Sequence, residues 1–216
     1  MFHEEEGNIM EKVIPIFPLK LVIFPQSFYP LHIFEKRYKK MISKCLEEKT
    51  GFGIVSLLKD DLSQIGTYVV IDKVLKTYLT GEMDIIVKGV KRFFIIDHEI
   101  HPEGYYVATI KDYKDNPGET DIILIEEMEI KFENLIDKIN YKLEDKFWKN
   151  YKSSKLKSFK VAEKSGLTLE QQQVLLSMRH ESMRITFLIE HFEKLDAMLN
   201  ENSALKQIII GDGYIN

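Results

Sequence analysis

The sequence predicts an α+β fold, with a β-rich N-terminal half that contains one early helix and an all-helical C-terminal half. Three observations support this prediction. Short segments rich in β-branched and aromatic residues, which favour strands, follow one another up to residue 113. The composition then changes at Asn116-Pro117-Gly118, a turn-forming tripeptide typical of a boundary. Beyond it, apolar residues recur every three or four positions, which is the period of a helix with one buried face.

We therefore expect three regions along the chain. Residues 1–11 are polar and are predicted to be disordered. Residues 12–116 are expected to form a β-rich subdomain, and residues 117–216 a helical subdomain. Several short strands in series, with no helices between them, favour a small mixed barrel or rolled sheet over a doubly wound sheet.

Composition excludes several classes of protein. A hydrophobic content of 44% over 216 residues is sufficient for a packed core. The net charge of −4 argues against general nucleic-acid binding. No apolar run approaches the roughly 18–20 residues of a membrane span, and residues 1–11 lack the features of a secretory signal. The single cysteine, Cys45, excludes an internal disulfide and predicts a cytoplasmic protein.

A proline-rich stretch over residues 14–31 opens the β-rich half. It holds four of the six prolines, Pro15, Pro18, Pro25 and Pro30, among β-branched and aromatic residues. Proline cannot donate to a central ladder, so we expect short extended pieces with each proline at a strand start, an edge or a turn. The stretch is thus the best candidate in this sequence for an open sheet edge.

A helix is predicted directly after this stretch, over residues 34–49. Its apolar stripe runs from Phe34 to Leu46 and includes Cys45, and Gly51 is expected to end it in the left-handed conformation. Five strands are predicted next, at residues 52–58, 65–78, 84–88, 92–100 and 105–113, with a turn at 80–83 and a break at Gly89.

Four helices are predicted in the C-terminal half. Thr168 and Gln171 have the spacing of a capping box at the start of the third of these helices. The expected limits of the four helices are residues 119–151, 158–164, 168–178 and 182–200, and the tail over residues 208–216 is apolar and then glycine-containing.

Several motifs, taken in order, resemble the N-terminal substrate-recognition domain of Lon proteases. Ile65-Gly66-Thr67 resembles that family's apolar-Gly-Thr motif, and Gly89-Val90-Lys91-Arg92-Phe93 its Gly-apolar-X-Arg-Phe motif. The resemblance covers about residues 12–200. In the opening stretch and the following helix, the residues at matching places are Pro25, Pro30, Leu31, Phe34, Glu35, Arg37 and Tyr38.

The resemblance implies a PUA-like pseudo-barrel followed by a helical bundle. It also implies a non-catalytic module that recognises unfolded or exposed apolar polypeptide segments, as an adaptor or regulator working with a protease or chaperone. A nucleotide-binding loop needs Gly-x-x-x-x-Gly-Lys-Ser/Thr, and the eleven glycines form no such motif. We therefore expect neither the ATPase nor the Ser-Lys peptidase domain of a full Lon protease, and no cofactor.

Two sets of residues are candidates for binding. The aromatic side chains of Phe17, Phe24, Phe28 and Tyr29 could contact a polypeptide, although the alternative is that all four belong to the core. On the helix predicted over residues 119–151, one face could contact an acidic partner or RNA, although a solvated face is the simpler interpretation. That face consists of Lys138, Lys142, Lys146 and Lys149.

No catalytic or metal site is predicted. His98 and His101 are close in sequence, but no third ligand accompanies them, so we interpret them as parts of a solvated turn. Cys45 lies on the predicted buried stripe of its helix. Sequence-adjacent pairs such as Ser43-Lys44 do not make a catalytic dyad, because a dyad requires convergence in a pocket.

Overall fold

A computed structural model describes residues 11–59 and 61–201, and the chain divides into two compact units after Lys114. Asp60 lies outside the described residues. So do the predicted tail over residues 208–216 and, except for Glu11, the N-terminal segment 1–11 that was predicted to be disordered. In unit 1 the described elements are β1 (Lys12–Leu19), β2 (Phe28–Ile33), α1 (Lys36–Glu48), β3 (Phe52–Leu58), β4 (Asp61–Leu62), β5 (Ile65–Thr77), β6 (Met83–Ile100) and β7 (Tyr106–Asp112).

The sheet of unit 1 closes on itself. Its strands follow the order β1-β7-β6-β5-β3, and β3 pairs in turn with β1, in parallel. The other pairings in this circuit are antiparallel. β2 joins from outside by pairing with the first half of β6, and β4 pairs with the end of β3. This arrangement confirms the predicted β-rich pseudo-barrel with one early helix.

Strand β1, in the first part of the proline-rich stretch, is not an open edge, because it closes the barrel. The predicted edge is instead β2, at the end of the stretch, which pairs only with β6 among the described strands. Residues 12–16 pair with β7, whereas residues 16–19 pair with β3 on the other side. Pro15 and Pro18 therefore each lie where β1 has a ladder on one side only. A proline nitrogen can face the side without a ladder, which explains how two prolines fit into a barrel strand.

Alternate residues of β1 face two different apolar clusters. Ile14 and Ile16 pack with Val55, Phe93 and their neighbours. Phe17 faces the other way and stacks on Tyr38 of α1, with ring centroids 4.0 Å apart. The second cluster unites α1 with the inner residues of β2 and β6. The hydrophobic period of two residues along β1 thus attaches the helix to one side of the sheet.

Strand β6 is one 18-residue strand, where the sequence predicted two strands with a break at Gly89. Gly89 lies within the ladder, opposite Val69, at a register shift that leaves Val90 of β6 outside the regular pairing. A Cβ at this position would lie 2.3 Å from the carbonyl oxygen of Phe24. Glycine is therefore present because another backbone approaches closely, and not because the strand stops.

Helix α1 begins two residues later than predicted and ends at a different residue. Phe34 precedes the helix and is exposed, so it does not belong to the buried stripe. The left-handed residue after the helix is Lys49, with φ of 53°, and not Gly51. The N–H of Lys49 donates to the carbonyl oxygen of Leu46 at the C-terminus. Gly51 is instead buried, against the carbonyl oxygen of Val69.

Unit 2 is helical over its described residues, which confirms the predicted fold class. The first helix ends at residue 138, whereas the sequence predicted that it continues to residue 151. Asn140 takes a left-handed conformation, with φ of 53°, and Ile139 and Leu143 are buried from the connection that follows. The helices are α2 (Ile122–Lys138), α3 (Asp145–Ser153), α4 (Lys157–Ala162), α5 (Leu169–Ser177) and α6 (Glu181–Glu201).

A buried arginine joins the separate segments of unit 2. Arg184 of α6 is fully buried, and its guanidinium donates to both carboxylate oxygens of Asp115, at 2.9 and 2.7 Å. It also donates to Glu181 and to the carbonyl oxygen of Met178, which follows α5. Burial lowers the pKa of this guanidinium, but Asp115 and Glu181 raise it by more than burial lowers it. The net pKa is therefore raised, and the positive charge is retained.

Ser158 extends this network to α4. Its hydroxyl accepts a hydrogen bond from Arg184 Nε at 3.0 Å and donates to Glu181 at 2.7 Å. The Ser158 N–H also donates to Glu181, at 2.9 Å. The network therefore provides partners for all three charged groups, Arg184, Asp115 and Glu181, while fixing α4 relative to α6. The predicted capping box at Thr168 and Gln171 is confirmed at the start of α5.

None of the helices among the described residues combines the length and the apolar composition that a membrane span requires.

Candidate functional site

Hydrogen bonds fix the connection between β1 and β2, residues 20–27, to the barrel. Ser56 donates to the carbonyl oxygen of Leu21, and Thr67 donates to that of Ile23. The Gln26 N–H donates to Gly89, and the Gly89 N–H donates to Ser27, at 2.8 and 2.9 Å. Gly66-Thr67 and Gly89, which belong to the two sequence motifs, thus help to set where β2 begins.

The three-stranded region formed by β2, β6 and β5 has two distinct faces. Its inner face is buried against α1 and contains Leu31, Ile33, Met83, Ile85 and Val87. Directly paired residues of antiparallel strands point to the same side, so the opposite face can be read from the register. We call it the outer sheet face, and it consists of Phe28, Pro30 and His32 of β2, Asp84, Ile86 and Lys88 of β6, and Val70, Lys73 and Lys76 of β5.

One end of the outer sheet face is apolar. Phe28 is 50% exposed, an unusual state for a phenylalanine on a well-fixed strand. The Lys88 ammonium lies 5.5 Å from the centre of the Phe28 ring. Pro30 is exposed next to the half-buried Ile86, its partner in the ladder. These side chains form an apolar surface that a partner could cover without any rearrangement of the strands.

The other end of the outer sheet face is a hydrogen-bonded polar group. Asp84 accepts from His32 Nδ1 at 2.7 Å and from the Tyr78 hydroxyl at 2.8 Å. These hydrogen bonds, that of His32 first, hold the pKa of the Asp84 carboxyl below its usual value. The rings of Phe34 and Tyr78 lie against the His32 ring, with centroids 5.9 and 6.0 Å away.

Both edges of this three-stranded region are poor templates for an added strand. Pro30 lies in the middle of β2, which has β6 as its only partner among the described strands. Since proline has no N–H, it cannot donate to an incoming chain. Along β5, register shifts place Asp72 and Leu75 outside the regular pairing. Such bulges twist an edge and interrupt its row of hydrogen-bonding groups.

The four aromatic residues that the sequence selected have different environments. Phe17 and Phe24 are buried, at 6% and 3% exposure, and contribute to packing. Tyr29 is half-buried and packs against the cluster under α1. Phe28 alone among the four presents half of its surface to solvent. The alternation of strand residues could have separated Phe28 from Tyr29, but their sides were unknown without the pairing partner.

The predicted lysine face is not a single helical face. Lys138 ends α2 and forms an ion pair with Asp196, whereas Lys142 lies in the connection to α3. Lys146 and Lys149 are exposed on α3. The early end of α2 separates these side chains, so the predicted spacing along one continuous helix was wrong.

Trp148 of α3 lies half-buried among aromatic side chains. Its ring centroid is 5.3 Å from that of Phe147 and 6.3 Å from that of Phe132. The helix thus directs its aromatic residues inward, with Phe147 and Tyr151 buried, and its lysines outward. The predicted preference for core packing over base stacking agrees with this environment.

The other candidates for chemistry are isolated in the described part of the chain. Cys45 is 2% exposed, and burial raises the pKa of its thiol, which disfavours the reactive thiolate. His101 stacks on Tyr105, with centroids 4.4 Å apart, and His98 is exposed at the end of β6. No group of three or more His, Cys, Asp or Glu side chains among the described residues has the geometry of a metal site.

Comparison with known proteins identifies the family of the chain. The fold is similar to that of the Lon N-terminal domain protein from Xanthomonas campestris, with a TM-score of 0.63 and 21% identity over 86% of this chain and 98% of that one. It is also similar to the N-terminal domain of Mycobacterium avium complex Lon protease, with a TM-score of 0.63 and 16% identity over 84% and 98%. Residues 13–194 match the family described as the ATP-dependent protease La (LON) substrate-binding domain, and the chain therefore belongs to this family.

Proposed function

We propose that this chain is a non-catalytic recognition module that binds exposed apolar segments of unfolded polypeptides on its outer sheet face. The half-exposed Phe28 carries the proposal, because it is held in place by the anchored connection before β2 and faces away from the core. Membership of a substrate-binding domain family supports a protein as the ligand. An aromatic side chain on a fixed strand loses little entropy on binding, as expected of an interface anchor.

The proposed biological role is that of a cytoplasmic adaptor or regulator of proteolysis. The module would hold an unfolded segment and bring it to a protease or chaperone. Its contribution is binding and orientation, so no residue of this chain is assigned a catalytic role. Exposed apolar segments are abundant in unfolded proteins and rare on folded ones, which gives such a face a basis for discrimination.

Binding of a permanently unfolded protein tests the proposal directly. A fluorescently labelled protein with reduced and alkylated cysteines is titrated with the chain, and anisotropy is compared with that of its folded form. We expect binding of the unfolded form only. Phe28→Ser should weaken it by about tenfold, since loss of an anchor costs about 1–3 kcal/mol. The control is Ile122→Ser, which removes a 67% exposed apolar side chain from unit 2.

Two outcomes would contradict the proposal. If the wild-type chain bound neither form, the function would be wrong. If Ile122→Ser weakened binding while Phe28→Ser did not, the outer sheet face would not be the binding surface. Circular dichroism of both variants checks that neither change alters folding.

RNA binding is a second candidate, supported by the exposed lysines Lys146 and Lys149 of α3. Titration of a labelled single-stranded RNA at increasing salt tests it. An affinity that falls steeply with salt, and that falls again in Lys146→Gln/Lys149→Gln, would favour this candidate. We rank it second because Trp148 packs against other aromatic rings and offers no open stacking platform.

A further inference from the structure

We propose that the outer sheet face selects extended segments in which acidic residues flank an apolar centre, and that it holds them by side-chain contacts across the face. The inference rests on the proposed function and deepens it by naming the chemical class of the preferred segment. The charge distribution on the face and the condition of its two edges carry the argument.

The apolar part of the outer sheet face lies next to two exposed lysines. Lys88 is paired with Phe28 on one side and Val70 on the other, whereas Lys73 is paired with Ile86. Lys73 and Lys88 are thus diagonal neighbours on adjacent strands, with Cα atoms about 7–8 Å apart by the usual geometry of such pairs. Both lysines therefore occupy positions beside the apolar surface that a bound segment would cover.

Neither of these lysines forms an ion pair within the described part of the chain. The carboxylate of the face, Asp84, already accepts hydrogen bonds from His32 and Tyr78, and Glu82 lies 3.8 Å from the other nitrogen of His32. A third lysine, Lys76, lies over the Tyr78 ring at 4.2 Å. The face therefore presents cations that a ligand could neutralise, whereas its anion is already engaged.

The condition of the two edges favours binding across the face. An added strand at β2 would meet Pro30, and one at β5 would meet the bulged residues Asp72 and Leu75. An extended segment laid on the face instead places alternate side chains downward at intervals of about 6.7 Å. Lys88 lies directly beside Phe28 on β6, and Lys73 lies one strand further on β5, so one segment that crosses the face can bring apolar side chains to Phe28 and acidic side chains to the two lysines.

Three labelled peptides of equal length test the charge preference. They share an apolar centre of phenylalanine and leucine and differ only in flanks of glutamate, glutamine or lysine. We expect the acidic peptide to bind about fivefold more tightly than the neutral one at low salt, from two exposed charge pairs, and the basic peptide to bind more weakly still. Moderate salt should reduce the difference.

Matched double variants locate the preference. In Lys73→Gln/Lys88→Gln, the acidic and neutral peptides should bind equally, while the neutral peptide keeps its wild-type affinity. Lys146→Gln/Lys149→Gln removes the same charge from exposed positions of α3 and should leave the preference intact. An acidic peptide with alternate backbone amides N-methylated should keep most of its affinity, because the binding mode does not use the backbone.

The results separate this inference from the function on which it rests. If the three wild-type affinities were equal, or if only the α3 variant removed the preference, the charge inference would be overturned and polypeptide binding would stand. Loss of binding on N-methylation would overturn the side-chain mode in favour of strand addition. If none of the peptides bound, nor the unfolded protein, the proposed function itself would fail.

Discussion

In unit 1, the pairings of a closed sheet order the strands, and two apolar clusters pack on its faces. In unit 2, the helices pack on buried apolar side chains such as Phe132 and Phe192, and a buried guanidinium also joins segments that are far apart in sequence. A strand pairing fixes many residues at once through its register. The backbone hydrogen bonds of short helices such as α4 and α5 join residues within one helix and do not fix its position relative to other segments. The comparison shows that side-chain contacts of one buried residue can join the segments of a helical unit, whereas backbone hydrogen bonds between strands join those of a sheet.

The chain carries a natural reporter for each unit. Its single cysteine, Cys45, is buried in unit 1, and its single tryptophan, Trp148, lies in unit 2. A thiol reagent reacts with Cys45 only when its surroundings open, whereas Trp148 fluorescence follows the packing around α3. A substitution in one unit should change the reporter of that unit, and the reporter of the other unit then serves as an internal control.

The largest effect is expected from Arg184→Ala in unit 2. This change leaves the carboxylates of Asp115 and Glu181 close together without their cation. Removing one partner of a buried ion pair costs about 3–5 kcal/mol. The urea midpoint of the Trp148 transition should fall strongly.

The matched control for Arg184 is Lys138→Ala, also in unit 2. Lys138 pairs with Asp196 at the surface, with about 40% of both side chains exposed. Such a pair contributes at most about 1 kcal/mol, so the midpoint should change little. Equal effects of the two alanine changes would show that the buried network is not the hub of unit 2.

A smaller effect is expected from Gly66→Ala in unit 1. A Cβ on Gly66 would lie 2.6 Å from the Phe93 ring and 2.6 Å from the carbonyl oxygen of Ile54. Overpacking of this kind costs about 1–3 kcal/mol. Labelling of Cys45 should become faster in the variant. Gly118→Ala is the control, since a Cβ there meets nothing within 4 Å; faster labelling in that variant as well would argue against the close approach as the cause.

The smallest effect is a pH dependence confined to unit 2. His191 is buried, and its Nε2–H donates to the carbonyl oxygen of Ser165 at 2.8 Å. Burial lowers the pKa of His191, assisted by Lys194, although the hydrogen bond to Ser165 acts in the opposite direction. The unfolded chain therefore takes up a proton more readily than the folded one. The resulting stability is present above about pH 6.5 and is lost as the pH falls through the lowered pKa.

Trp148 transitions at about pH 7.5 and pH 5 measure this dependence. We expect His191→Gln to narrow the difference between the two conditions relative to the wild-type chain, because glutamine can donate a hydrogen bond but does not titrate. A variant with the same loss of stability as the wild-type chain on acidification would assign that loss to other groups.

Part of the candidate site could be predicted from the sequence. Phe28 was among the selected residues because the aromatic side chains of the proline-rich stretch alternate enough that some could face outward, and the resemblance suggested a polypeptide ligand. The contribution of Ile86, Lys88 and Lys73 could not be predicted, because they belong to other strands. Their position beside Phe28 follows from the ladder register of β6 and the bulges of β5. Local residue patterns do not encode which strands become neighbours.

The sequence by itself determined the division into a β-rich and a helical part, the capping box of α5 and the family of the chain. These features depend on periodicity and on motifs that are local or ordered along the chain. The tertiary structure decided that β1 closes the barrel, that α2 ends at Lys138 and that Phe28 faces solvent while Phe17 and Phe24 are buried. Each of these outcomes depends on contacts between residues distant in sequence, and such contacts override local propensity when they bury more surface or satisfy more hydrogen bonds.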